Sequence, residues 1–323
     1  MKDKTGLDVL PYRVGVLPIP GFALMSYACT VEPLRAANLL ARRPLYDIVH
    51  FADADLAQSS GAARVERTFP VGHAADLDLL LVVAGGDPFG IEDPAALTWL
   101  RRLARRGVTI GGVSGGSVIL AAAGIMQDRR MTVHWEHAPE LAERYPDLLI
   151  EKRLYIIDRD RVTCGGGTAP LDLMHALIGS HHGSVFARLV SDWFLHTDVR
   201  AAAAPQRAGL AERVGIQSPH ILAAVGAMED HVADPLTLEQ LAVVAGVSPR
   251  QLNRLFRGTL QQSTMEYYRK LRLDVGFRLV SGSAMSISEI AEATGFANPG
   301  HFSSAFSQRY QTGPSASRRA VAE

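Results

Sequence analysis

Apolar positions keep two different rhythms along this chain, and the change of rhythm divides it. Up to about residue 199, short apolar runs alternate with amphipathic stretches. Residues 12–18, 46–51 and 78–84 read as strands, the last continuous rather than alternating, as strands covered on both faces are. Residues 24–40 read as a helix with Glu32-Pro33 near its middle, where a proline starts a new turn or kinks the helix. A second helix is expected over 94–106. Residues 108–112 form a β-rich run ending in glycines, the chain turns at Ser114, and a helix of small residues follows. A short strand over 131–135, a hairpin from 154–158 and 161–164, and a glycine turn opening a helix over 171–179 complete the series. Strands alternating with helices predict a doubly wound α/β sheet with right-handed crossovers.

Sites in such sheets lie at the carboxyl ends of the strands. That rule brings Pro18–Gly21, Gly85-Gly86-Asp87 and Gly112–Gly116 to one rim, with His134 and Trp135 ending a neighbouring strand there. Gly112-Val113-Ser114-Gly115-Gly116 fits the G-x-S-x-G pattern that presents a nucleophile on a sharp strand-to-helix turn. A serine hydroxyl needs a base within hydrogen-bond reach. The candidates are His134 and His175, with Asp172 as orienter, but Asp172 and His175 stand three apart on one helix and need not reach the turn. The HGGG-type oxyanion motif is absent. Ser114 is therefore either a nucleophile or the floor of a binding pocket, and the latter is the expectation.

From about residue 216 only helical periodicity remains, and it repeats. Leu238, Leu241, Ala242 and Ala245 are matched by Ile287, Ile290, Ala291 and Thr294. Leu252, Leu255, Phe256 and Leu260 are matched by Phe302, Ala305, Phe306 and Tyr310. Each set is a one-faced apolar stripe. Gly246 and Gly295 fall between the helices of each pair, and Thr237, Ser248, Ser263 and Ser286 each precede Gln or Glu by three residues, as capping boxes do. Two helix-turn-helix units joined by a helix over about 264–281 are predicted. Opposite the stripes lie Arg250, Gln251, Asn253, Arg254 and Arg257 in the first unit, and His301, Ser303, Ser304, Ser307 and Gln308 in the second, with Asn298 just before that helix as a further expected DNA contact. Arg, Asn and Gln are the side chains that read purine edges in the major groove. The expected domains are 1–199, a polar linker over 200–215, and 216–323.

Composition narrows the partners. Lys+Arg and Asp+Glu are 33 each, so a nucleic-acid surface must be local, and residues 248–278 supply it with a basic excess. Cys29 and Cys164 are the only cysteines, which rules out a disulfide framework and suits a reducing cytoplasm. No apolar run approaches the ~18 residues of a membrane span. His181-His182 reads as a loop lacking a third ligand, so no metal and no cofactor are expected.

The residues up to Phe194 resemble the PfpI-type class I glutamine amidotransferase-like domain. The likeness rests on Glu32, Gly85-Gly86, the Ser114 turn, Thr132–Trp135 and Cys164–Ala169. Residues 216–318 are similar to the AraC/XylS DNA-binding domain, most specifically over Ser286–Phe296 and His301–Phe306. The first resemblance implies a flavodoxin-like fold. Its catalytic members carry cysteine at the turn, often followed by histidine, where this chain has Ser114 and Gly115. Together the resemblances imply a cytoplasmic homodimeric regulator that binds double-stranded DNA, works with RNA polymerase and answers to a small effector. Relatives with this architecture include sensors of amino acids and of quaternary amines, so the resemblance implies an effector of one of these kinds. The expected effector contacts are Glu32, Gly85, Gly86, Ser114, Gly115, His134, Trp135, Cys164 and Gly165. Backbone N–H groups after Ser114 and in Gly165–Gly167 are expected to take a carboxylate, and Trp135 with Glu32 an ammonium group. The rival readings are a serine hydrolase or amidase fused to a DNA-binding tail, and an architectural DNA binder with a dimerising front domain. After Gly313-Pro314 the tail lacks the family's aromatic-arginine pair, so a poorly anchored last helix is expected.

Overall fold

The structure, a computed structural model, describes residues 10–91, 93–207, 209–283 and 285–322. The chain forms two compact units that meet at 207/208.

In the first unit, β1 (Tyr12–Pro18), β2 (Tyr46–His50), β5 (Leu79–Ala84), β6 (Thr109–Ser114), β9 (Tyr155–Asp158) and β10 (Arg161–Cys164) make one sheet in the order β2-β1-β5-β6-β10-β9. Every pairing is parallel except the β9–β10 hairpin. β5 is buried at every position, as its unbroken apolar run requires. β3 (Leu56–Gln58) and β4 (Arg64–Glu66) form a small ribbon, and β7 (Arg130–Met131) pairs with β8 (Leu149–Ile150). Around the sheet lie α1 (Leu24–Ala41), α2 (Pro94–Arg105), α3 (Gly116–Ala122), α4 (Ala138–Arg144), α5 (Ala169–His182) and α6 (Ser184–Trp193). α1 runs through Pro33 unbroken, with the proline buried against its neighbours. One apolar core lies between the sheet and α1, α5 and α6, and the other between the sheet and α2 and α3. These are the two buried faces that a doubly wound sheet requires. The short strand expected over 131–135 ends at Met131, and His181 and His182 close α5 instead of forming a loop. Among the described residues no cluster of His, Cys, Asp and Glu has metal-site spacing.

The expected linker is only partly one. Arg200–Arg207 packs on the first unit: Arg200 donates to the buried Asp172, and Ala202 O accepts from Leu154 N–H at 3.1 Å. Leu210–Val214 is a helix, α7, of the second unit.

The second unit contains α8 (Pro219–Asp230), α9 (Leu238–Ala245), α10 (Pro249–Leu260), α11 (Thr264–Gly282), α12 (Ile287–Ala293), α13 (Pro299–Tyr310) and α14 (Pro314–Ala322). α9–α10 and α12–α13 are the two helix-turn-helix pairs, and α11 joins them. Thr237, Ser263 and Ser286 form reciprocal capping boxes; Ser248 caps through its own oxygen. Gly246 and Gly295 both adopt φ 67°, the left-handed conformation that ends a helix at little cost only for glycine. A Cβ on Gly295 would also lie 2.5 Å from Pro235. Phe256 and Leu252 anchor one core, Phe302 and Phe306 the other, and Arg318 Nε ties α14 to Val280 O at 3.1 Å, so the last helix is anchored without the family's aromatic-arginine pair.

Candidate functional site

The rim of the first unit is built by close backbone approach. β6 ends at Ser114, a non-glycine residue at φ 57°. Holding a serine in the left-handed region costs on the order of 1–3 kcal/mol, and such strain collects at functional turns. The neighbours leave no room for larger groups. A Cβ on Gly116 would meet Val82 O at 2.0 Å, one on Gly115 would meet Pro88 at 2.9 Å, and one on Gly85 would meet Ala23 N at 2.8 Å. Gly166, itself at φ 86°, lies over the Ser114 side chain. Gly166 thus lies on Ser114 and Gly115 on Ala84 and Pro88, which flank the Gly85-Gly86-Asp87 segment, while Gly85 packs on Ala23.

Their N–H groups are not available in the way the sequence suggests. Gly115 N–H donates to Ala84 O, Gly165 N–H to Leu154 O and Gly167 N–H to Ser26 Oγ. Gly166 N–H is directed at Cys164. The expected carboxylate cradle in Gly165–Gly167 is therefore filled from within the fold. Cys164 is not a rim residue: it is completely buried in the core, and burial pushes its thiol up to about 12. Glu32 is likewise not a free negative charge, because Arg35 grips both of its oxygens, at 2.6 Å for the shortest contact.

Two of the residues considered as catalytic partners of Ser114, His175 and Asp172, are engaged elsewhere. His175 Nδ1 sits 2.8 Å from Ser191 Oγ. Asp172, with no exposed surface, receives His196 Nε2 at 2.8 Å and both the main chain and guanidinium of Arg200. Asp172 and His175 share a helix but not a hydrogen bond.

His134 and Trp135 are half-buried in the turn after β7, their rings 5.3 Å apart. Burial lowers the pKa of His134 and takes His137 down to about 4, so both rings are neutral at neutral pH. The indole of Trp135 already carries a cation: the Arg207 guanidinium lies 4.4 Å from its ring centroid. Beside it the Gln206 carboxamide enters between Trp135 and Gly165. Gln206 and Arg207 lie in the stretch whose composition predicts a linker. No periodicity marks them, because their partners, Thr132 to Trp135 and Arg153, are distant in the chain.

In the second unit, Arg250, Gln251, Arg254 and Arg257 are exposed on α10, opposite the buried Leu252 and Phe256. His301, Ser304 and Gln308 are exposed on α13, with Ser303 half-buried beside them, opposite Phe302 and Phe306. A groove lined by Arg269, Phe296, His301, Ser304, Ala305 and Gln308 runs beside α13. Two expected base readers have structural work instead. Asn253 Oδ1 accepts from Thr264 N–H at 3.0 Å, fixing the junction of α10 and α11, and Asn298 Oδ1 caps α13 through His301 N–H. Arg272, part of the basic excess, stacks on Phe296 at 4.7 Å and donates to Thr294 O and Gly295 O.

Residues 15–180 match the model of the DJ-1/PfpI family, and residues 241–320 match that of a helix-turn-helix domain. The chain is 47% identical over 315 residues to the HTH-type transcriptional regulator GlxA of Rhizobium meliloti, covering 95% of each. It is 38% identical to the HTH-type transcriptional regulator CdhR of Pseudomonas aeruginosa, covering 94% of this chain and 90% of that one. Among solved structures, that of an AraC family transcriptional regulator from Pseudomonas putida is 26% identical with a TM-score of 0.52, covering 57% of this chain and all of that chain.

Proposed function

This chain belongs to the family of AraC-type, DNA-binding transcriptional regulators with a DJ-1/PfpI domain, and on that footing we propose that its first unit is a non-catalytic sensor of a small effector. The observation that carries the DNA half is the pair of capped helices, α10 and α13, each with an apolar stripe buried and a polar stripe in solvent. In this reading α10 and α13 enter successive major grooves about 34 Å apart on one face of the duplex. Arg250, Gln251, Arg254 and Arg257 read one half, and His301, Ser303, Ser304 and Gln308 the other. A homodimer doubles the footprint, and RNA polymerase is the partner through which the bound protein acts in the cytoplasm. None of the described helices is long and apolar enough to cross a membrane.

In this reading the effector contacts are Gly85, Gly86, Ser114, Gly115, His134, Trp135 and Gly165, and the ligand is an amino acid or a quaternary amine. Support comes from Trp135, whose indole face accommodates a cation in the structure. The engagement of His175 and Asp172 away from Ser114 argues against a hydrolase. Footprinting of the purified protein on the DNA flanking its own gene, with and without L-arginine, glycine betaine or carnitine, tests both halves. Protection of roughly two helical turns per protomer that responds to one of these ligands is expected. Protection with no sequence preference would refute the DNA reading, and ligand-independent protection the sensor reading.

A further inference from the structure

The contacts of Gln206 describe a binding subsite occupied by the protein's own chain. Its Oε1 accepts from Trp135 N–H at 2.8 Å. Three oxygens converge on its Nε2: Thr132 Oγ1 at 2.9 Å, Val133 O at 2.9 Å and Arg153 O at 2.7 Å. Thr132 has no exposed surface and its hydroxyl donates to Arg153 O, so toward Gln206 its oxygen is an acceptor. The carboxamide lies flat on Gly165, where a Cβ would come within 2.6 Å of it. The pocket thus offers three acceptors and one donor, side by side, with an aromatic face beyond them.

A carboxamide fills that set incompletely. Its NH2 has two hydrogens for three oxygens. A primary ammonium has three, and an adjacent carboxylate supplies the acceptor that Trp135 N–H needs. Charge-assisted bonds are also the stronger kind. A quaternary amine has no N–H to offer and cannot use these oxygens.

We propose that the subsite beneath Gln206 takes the ammonium and carboxylate of a free amino acid, which binds by displacing Gln206 and, with it, the Arg207 guanidinium from Trp135. This rests on the sensor reading and sharpens it: of the two effector classes it selects the one carrying N–H. It also supplies a route for the signal, because Gln206 and Arg207 are the last residues of the first unit before the chain enters the second. Ligand entry and release of the strap are then one event, and the strap acts as a built-in competitor, the apparent affinity being the intrinsic one multiplied by the fraction of time the site is open.

Calorimetry on the full-length protein with L-arginine, glycine and glycine betaine, for wild type and Gln206→Ala, tests this. Glycine and glycine betaine differ only in the three N-methyl groups. Gln206→Ala should tighten L-arginine and glycine binding by about tenfold or more, since the competitor is gone, and leave glycine betaine unchanged. Arg207→Ala, which leaves the buried contacts intact, should tighten L-arginine by a smaller factor. Hydrogen exchange gives a second readout. L-arginine should speed exchange at Leu154, whose N–H donates to the strap at Ala202 O, while Trp135 N–H stays protected by the bound carboxylate. Unchanged or weaker amino-acid binding in Gln206→Ala, with Leu154 exchange unaffected, would overturn the subsite while leaving a sensor that binds elsewhere. Binding of none of the three probes by any variant would overturn the sensor reading with it.

Discussion

Gly166 stands directly against Ser114: a Cβ on Gly166 would lie 2.5 Å from the Ser114 Cβ and 2.8 Å from its hydroxyl. The β10–α5 turn is in this way moulded onto the strained turn at the end of β6. Gly166→Ala meets two penalties, a φ of 86° that alanine tolerates poorly and an overlap with a residue that cannot retreat. We expect a loss of roughly 2–4 kcal/mol, seen as a lower melting temperature of the first unit, while α10 and α13 still bind DNA. Wild-type stability in Gly166→Ala would show that the turn is looser than its geometry implies.

Ser114→Ala removes the hydroxyl but keeps the small volume the turn demands. No hydrolysis of small esters or amides is expected from wild type, so none is there to lose. The substitution should leave operator binding intact and shift only effector affinity, by about a factor of ten or less, the scale of one neutral hydrogen bond. Turnover by wild type that disappears in Ser114→Ala would make Ser114 a nucleophile.

Neighbours on α10 should behave differently. Arg254→Ala should cost ~1–3 kcal/mol of specific binding and relax preference at one base pair. Asn253→Ala should instead lower the stability of the second unit by about 1 kcal/mol, the net contribution of the bond to Thr264 N–H, with base preference unchanged. Selection of binding sites from a random DNA pool, run beside thermal melts, separates the two. Equal weakening of specific and random DNA by Arg254→Ala would reduce that side chain to a phosphate contact.

His137 gives the first unit a dependence on acid. Its ring is half-buried beside Phe89 and His134, and burial takes its pKa down to about 4 in the folded protein against an ordinary 6.5. The unfolded chain therefore takes up a proton as pH falls through 6.5, while the native state resists until about 4. Stability is full above the unfolded value and falls across that window, by on the order of 3 kcal/mol at most for this group. Urea unfolding at pH 7, 6, 5 and 4 should show the decline, and His137→Gln should flatten it. An equally steep decline in His137→Gln would assign the effect to other groups.

Features that are local or periodic are legible in the amino-acid order. The unbroken apolar run of β5, the glycine-bounded turn at Ser114, the caps at Thr237, Ser263 and Ser286, and the doubled stripes ending in Phe256 and Phe306 each act within a few residues. One-dimensional spacing therefore carries them. What a polar group does is set by which partner reaches it first, and that partner is often far along the chain. Arg35 took Glu32 within one helical turn, Thr264 took Asn253 across a helix junction, and Leu154 and Ser26 took the N–H groups of the glycine turn. It took the folded arrangement to make Asp172 hold Arg200 rather than orient His175, and to bring Gln206 out of a polar, alanine-rich stretch onto Trp135, 71 residues upstream. Buried donors and acceptors must be paired, and any segment the fold brings within reach can supply the partner.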